Sequence, residues 1–283
     1  MVESPWTFHL HPEVVAVVVA ALVAYGYAVR RWGRLFHPSP AEQPATPRQK
    51  VAFVLGVVSL WVALGWPVHD LGERYLYAAH MVQHLILGFV VPPLILLGTP
   101  RWLGELVLGR GAVGRTYRSL TRPLIAAVAF NVALAFIHWP AVVDIMVASE
   151  PAHAAIHWAF LAAAFLMWSV LYSPLPDVAG RLGPPGKMLF LFVQTILPTV
   201  PASFLTFGDR TLYRFYETTP RLWQLTPRDD MQLAGLIMKV GGGLLLWSIL
   251  TVMFFRWANA EERADRARLH AGDADPRPSN SWS

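Results

Sequence analysis

The sequence predicts an all-α, polytopic membrane protein, built as a bundle of seven transmembrane helices. Two observations on composition point to this class. Of the 283 residues, 55% are hydrophobic and only 14% are charged, whereas a soluble domain usually carries about 25% charged residues. The aromatic share of 12% suits rings that line a lipid–water boundary. These proportions argue against a disordered chain and against an ordinary soluble enzyme. The absence of Cys excludes a thiolate metal site and a disulfide.

Seven apolar stretches account for the predicted spans. A helix needs roughly 20 mostly apolar residues to cross about 30 Å of hydrocarbon. The predicted spans are residues 14–29, 51–66, 77–97, 123–139, 152–172, 188–207 and 230–255. The chain is therefore divided into a segment before the first span (1–13), a membrane domain (14–255) and a tail (256–283).

The distribution of basic residues predicts the orientation. Lys and Arg are concentrated after the first, third, fifth and seventh spans, and loops with such an excess usually face the cytoplasm. We therefore expect an outer N-terminus, a cytoplasmic C-terminal tail and a multi-pass location in the cell membrane. Because topology accounts for the net charge of +5, the lipid bilayer is an expected partner and nucleic acid is not.

Histidines mark the outer ends of the predicted spans. His80 and His84 open the third span, and His153 and His157 open the fifth. An i, i+4 spacing places two side chains on one helix face, where two imidazoles can share a metal ion. Two such pairs on one side of the membrane predict a metal site there. The simpler alternative is that these histidines are amphipathic residues at the headgroup level.

Other residues at the same depth extend the candidate ligand set. His69 and His138 end the spans that precede the two pairs, so two successive helical hairpins each deliver three histidines. Met81 lies inside the first pair, and Asp230 with Met231 begins the last span. The candidate metal ligands are His69, His80, Met81, His84, His138, His153, His157, Asp230 and Met231. Imidazole suits Cu, Zn, Fe and Ni, and thioether favours Cu(I), so copper is the predicted metal.

Two kinds of enzyme or cofactor protein fit the sequence poorly. Neither histidine pair has the Glu of the HExxH pattern, which acts as the general base in zinc hydrolases, so zinc hydrolysis has little support. We expect a metal-binding protein and not an enzyme. Lys239 in the last span suggests a retinal Schiff base, but the third span lacks a carboxylate counter-ion. We expect Lys239 to face the bundle and to hydrogen-bond to a carbonyl, Gln194 or Asn131.

Three blocks of the sequence resemble the CtaG-type cytochrome c oxidase assembly factors, the multi-span proteins associated with caa-type oxidases. The blocks are His80-Met81-Val82-Gln83-His84 with the prolines after it, His138-Trp139-Pro140 with the His153/His157 pair, and the run that begins at Asp230-Met231-Gln232. The resemblance covers residues 61–243. The positions that match the histidines of the family are His80, His84, His138, His153 and His157.

The resemblance implies a role in maturing a haem–copper oxidase, with copper delivery to the oxidase as the usual proposal. The sequence therefore predicts an assembly factor that binds copper at the outer membrane face and delivers it to a haem–copper oxidase subunit. A copper donor protein on the outer face is a further expected partner. Three alternatives stay open: a haem-binding electron-transfer or haem-modifying protein, a metal-ion transporter and a metal-free assembly scaffold.

Overall fold

The computed structural model describes residues 4–36, 43–208 and 210–273, and every regular element in these ranges is helical. The main helices are α1 (Pro12–Phe36), α2 (Pro47–Leu64), α3 (Val68–Arg74), α4 (Tyr77–Gly98), α5 (Arg101–Leu108), α6 (Gly111–Leu120), α7 (Pro123–Ile137), α8 (Pro140–Ala148), α9 (Glu150–Tyr172), α10 (Pro184–Phe207) and α11 (Pro227–Leu269). Short helical turns, Pro176–Ala179 and Phe215–Thr218, lie in the loops before α10 and α11. The predicted all-α fold with several apolar helices is confirmed.

Six helical segments are long and apolar enough to span a membrane: α1, α2 together with α3, α4, α9, α10 and α11. The predicted fourth span, residues 123–139, is not long enough alone, because α7 has 15 residues and is therefore about 22 Å long. It qualifies only together with α6, from which it is bent by 78°. The described chain therefore has six candidate spans, or up to seven if the bent pair counts as one.

Capping explains why two helices begin earlier than the apolar pattern predicts. Thr46 and Gln49 form a capping box at the start of α2, and Thr226 and Asp229 form one at the start of α11. In each box a threonine side chain accepts from a backbone N–H three residues later. Both helices then have a proline in their first turn, where its missing N–H costs nothing. The polar first turns are invisible to a search for apolar residues.

The last helix continues beyond the predicted membrane domain. The predicted tail, residues 256–283, begins within α11, and the helix continues past the end of the spanning segment at Leu269 through Asp273. Residues 274–283 of the tail, and residues 1–3 of the first segment, lie outside the described residues.

Helices α4 and α9 occupy the centre of the bundle. In the most apolar 18-residue stretch of α4 and of α9, 61% and 56% of the residues are buried, whereas the share is 17% in α1 and in α11. Trp168 of α9 is fully buried and donates its indole N–H to the carbonyl of Gly88 in α4, at 2.8 Å. The two histidine pairs therefore lie on the two most buried helices, at the ends from which these helices start.

A glycine at the end of α4 allows α2 to approach closely. A Cβ on Gly98 would lie 2.4 Å from the backbone nitrogen of Phe53 and 2.6 Å from its Cα. The Gly98 carbonyl also accepts the hydroxyl of Tyr25 from α1, at 2.8 Å. Three helices therefore meet where a side chain has no room.

We expect Gly98→Ala to lower the free energy of unfolding by about 1–3 kcal/mol, because the added methyl group must push backbone atoms apart. Gly26→Ala is the matched control, since a Cβ there meets nothing within 4 Å and alanine favours the helix. Thermal unfolding of both variants in detergent measures the difference. Equal stability of the two variants would contradict the close approach of α2 and α4.

Candidate metal centre

The starts of α4 and α9 bring the two histidine pairs into one buried cluster. His84 Nε2 lies 3.0 Å from His157 Nε2, and His153 Nε2 lies 3.3 Å from the same atom. Within each pair, His80 with His84 and His153 with His157, the ring centroids are 4.3 Å apart. Each of the four residues is between 5% and 8% exposed. We call this end of the bundle, where α4 and α9 start and α7 ends, the histidine end.

The separations between nitrogens fit a shared metal ion. Two imidazole nitrogens bound to one tetrahedral ion at about 2.0–2.1 Å lie about 3.3 Å apart. His80, His84 and His157 each offer one ligand atom, and the three atoms lie within 4.8 Å of one another. A network of N–H···N hydrogen bonds is the structural alternative. It leaves Nδ1 of His84 buried without a hydrogen-bond partner, which costs about 1–3 kcal/mol.

A carboxylate from α3 joins the cluster. Glu73 Oε2 lies 3.1 Å from His153 Nδ1, and Glu73 Oε1 lies 3.5 Å from His80 Nδ1. Glu73, His80 and His153 form a second group whose ligand atoms lie within 4.8 Å of one another. The Glu73 side chain is 25% exposed, so this group is nearer the surface than the three histidines.

The sequence analysis did not identify Glu73. The available signal was its i, i+4 spacing from His69, which places both residues on one face of a helix. That helix, α3, has seven residues and follows the second predicted span, where the apolar pattern predicts only a loop. Gly72 lets α3 lie against α4, since a Cβ there would be 3.0 Å from the Cα of His80.

His138, at the end of α7, faces a methionine sulfur. Its Nδ1 lies 2.7 Å from the Leu134 carbonyl oxygen, which can only accept, so Nδ1 carries the ring proton. In the neutral ring, Nε2 then carries a lone pair. This Nε2 lies 3.4 Å from the Sδ of Met81. A nitrogen lone pair and a thioether thus face each other beside the cluster. The ring centroids of His138 and His84 are 5.6 Å apart. This is a pair of ligands suited to a soft cation such as Cu(I).

His69 lies at the edge of the cluster. It is half-buried, its ring centroid is 6.1 Å from that of His153, and its Nδ1 lies 3.1 Å from the Gln83 amide nitrogen. The amide donates to Nδ1, which leaves the Nε2 position of His69 protonated in the neutral ring. His69 thus lies next to the cluster, and its one lone pair, on Nδ1, already accepts the hydrogen bond from Gln83.

The structure gives Asp230 and Met231 other roles than the predicted ligand role. Asp230 is 1% exposed, and its two oxygens accept the backbone N–H groups of Tyr77 and Ala78 at 2.7 and 2.9 Å. It therefore caps α4, whose first-turn N–H groups need acceptors. Met231 Sδ accepts the backbone N–H of Leu212 at 3.2 Å. We do not include either residue in the candidate site.

The loop between α10 and α11 covers the histidine end. The Tyr213 hydroxyl donates to the His138 carbonyl at 2.9 Å, and the Tyr216 hydroxyl donates to the Gly72 carbonyl at 3.0 Å. Burial raises the pKa of Tyr213 to about 12 and raises that of Tyr216 well above its ordinary value. Both hydroxyls therefore keep their protons at neutral pH and hold the loop over the cluster.

Lys239 is exposed, and among the described residues it makes no hydrogen bond to Gln194, to Asn131 or to a carbonyl, so the predicted contact is wrong. Asn131 donates its amide to Gln194 Oε1 at 2.6 Å, so these two residues connect α7 and α10 to each other. Lys239 Nζ instead lies 5.4 Å from the ring centroid of Phe207, within the range of a cation–π contact.

Comparisons with known proteins identify similar sequences. The sequence model of the cytochrome c oxidase caa3 assembly factor family matches residues 23–260. An uncharacterized protein of Mycobacterium bovis and an uncharacterized protein of Mycobacterium tuberculosis are each 24% identical over 290 residues, which covers 95% of this chain. The chain spans 42% of the length of these relatives. No solved structure matches it.

Proposed function

Because the chain belongs to the family of cytochrome c oxidase caa3 assembly factors, we propose that it carries copper in its histidine cluster and delivers this copper to a haem–copper oxidase subunit. In this proposal the chain crosses the cell membrane seven times, with the N-terminus and the histidine end on the outer side. A copper donor protein on that side loads the site. Copper is the cargo of the protein and not a resident cofactor.

The observation that supports copper binding is the convergence of three buried imidazoles whose ligand atoms lie within 4.8 Å of one another. The His84 ring has a buried Nδ1 that lacks a hydrogen-bond partner, and the thioether of Met81 lies beside the three rings. Imidazole and thioether are ligands that copper prefers. Neutral ligands can also be exchanged one at a time, which suits a carrier better than a permanent site. We therefore propose metal transfer and not catalysis.

The haem alternative has less support from the geometry. A haem iron with two axial histidines needs the porphyrin ring between the two imidazoles. The Nε2 atoms of His84 and His157 are 3.0 Å apart, which leaves no room for a porphyrin between them.

The test is to delete the gene and to restore it as the wild type or as the double variant His84→Ala/His157→Ala. We expect the oxidase purified from the deletion strain and from the double variant to have lost copper and kept haem. His270→Ala, which replaces a histidine of the charged C-terminal segment, is the control and should restore copper. Copper and haem are measured separately in the purified oxidase.

Two results would contradict the proposal. Full copper content with the double variant would leave only a scaffold function. Loss of haem in the deletion strain, with copper retained, would indicate a role in haem supply or modification.

A further inference from the structure

The histidine cluster separates two cavities, and the first is a wide cleft. The cleft has a volume of about 670 Å³ and is lined by Glu73, His153 and His157, among other residues. The exposed residues Glu13 and Glu150 also line it, so it reaches the polar surface at the histidine end. A cation at this end therefore meets Glu73 and His153 through the cleft.

The second cavity lies on the other side of the cluster. It is narrow, about 20 Å³, and is lined by His84, His138 and Met81. The described lining of this cavity includes no carboxylate, and its one charged side chain is that of Lys239. A cation that reaches His84 therefore meets soft, neutral ligands and a positive charge beyond them.

The two ligand groups follow one another from the cleft inward, since Glu73, His153 and His157 line the cleft and His84 lines the narrow cavity. The cleft station consists of Glu73, His80 and His153, and the inner station consists of His80, His84 and His157. His80 belongs to both groups, so the two stations are adjacent and cannot be filled independently. One ion can pass between them by exchanging Glu73 and His153 for His84 and His157.

The charge of the lining residues changes from negative in the cleft to positive in the narrow cavity. Among the described residues, the cleft is lined by four carboxylates, those of Glu13, Asp70, Glu73 and Glu150, and by one guanidinium, that of Arg74. A cleft with an excess of one charge raises the local concentration of counter-ions and speeds their association. Ligand softness changes in the same direction, from carboxylate and imidazole in the cleft station to imidazole and thioether beside the inner station.

We infer that the cluster is a two-station path: Glu73 captures the cation from the cleft, and His84 and His157 then hold it. This inference rests on the proposed copper function and adds to it the direction of loading. Only ligands are exchanged, so the ion keeps its charge and oxidation state. When the ion moves inward, Glu73 is released to accept again from His153 Nδ1, with which it is paired at 3.1 Å.

The experiment compares Glu73→Gln with His84→Ala in the purified full chain, with Cu(I) alone as the probe. Loading is followed by stopped flow, and release by transfer to an excess of chelator. We expect Glu73→Gln to load about tenfold or more slowly with release unchanged, and His84→Ala to release faster with loading little changed. Added salt should slow the loading of the wild type more than that of Glu73→Gln. Glu105→Gln, at a half-exposed ion pair with Arg101, is the matched carboxylate control.

The outcomes separate this inference from the proposed function. If both variants change loading and release by the same factors, the cluster is one undivided site; the two-station path is then wrong while copper binding stands. If neither variant changes either rate, copper does not bind in the cluster and both proposals fail. His84→Gln, which keeps a polar side chain of similar size, replaces His84→Ala if the latter does not fold.

Discussion

Replacing His157 with alanine is expected to weaken Cu(I) binding by about 100-fold or more. Its Nε2 is the junction of the cluster, 3.0 Å from His84 Nε2 and 3.3 Å from His153 Nε2. Removing a partner that only orients a metal ligand typically costs 10–100-fold in affinity, so the loss of a ligand at the centre should cost at least the upper value. Competition with a Cu(I) chelator, on protein purified in detergent, measures the affinity.

The control for this prediction is His270→Ala, which removes an imidazole from the charged C-terminal segment and should leave the affinity unchanged. An unchanged affinity in His157→Ala would mean that the short contacts are hydrogen bonds between rings. In that case the variant should show reduced thermal stability instead, because His84 would lose its Nε2 partner while its Nδ1 already lacks one.

The central part of the site could be predicted because it depends on local spacing. The i, i+4 rule places His80 over His84 and His153 over His157 whatever the helices pack against. Burial then follows from the cost of exposing ionisable side chains to hydrocarbon, which favours the histidine-bearing faces of α4 and α9 in the interior of the bundle. Convergence of the two pairs on one side follows from the alternation of spans through the membrane.

The parts that could not be predicted depend on contacts between distant segments. Asp230 has the residue type and depth of a metal ligand, but it caps a helix whose first residue is 153 positions away in sequence. Glu73 lies on a short helix that the apolar pattern does not reveal. The predicted fourth span is short because the chain bends by 78° before it. Pro123, which begins α7, signals a helix boundary there but does not give the angle of the bend.

The second large effect is expected at Asp230, where alanine should lower the free energy of unfolding by about 2–3 kcal/mol. The side chain is 1% exposed and accepts the backbone N–H groups of Tyr77 and Ala78, which begin α4. Hydrogen bonds to a charged group are worth about 1.5–3 kcal/mol, and the loss of a helix cap alone costs about 0.5–2 kcal/mol. The measurement is the thermal unfolding of the purified protein in detergent.

Two further variants distinguish a cap from a metal ligand at this position. Asp230→Asn keeps one acceptor oxygen and should lose about half as much stability as Asp230→Ala. Asp229→Asn, at an exposed carboxylate next to it that caps its own helix, should cost about 1 kcal/mol or less. Because Tyr77 and His80 share the first turn of α4, a loosened cap should weaken Cu(I) binding in proportion to the lost stability. A large loss of copper affinity in Asp230→Asn with full thermal stability would instead show that the carboxylate binds the metal, and the assignment of Asp230 as a cap would be wrong.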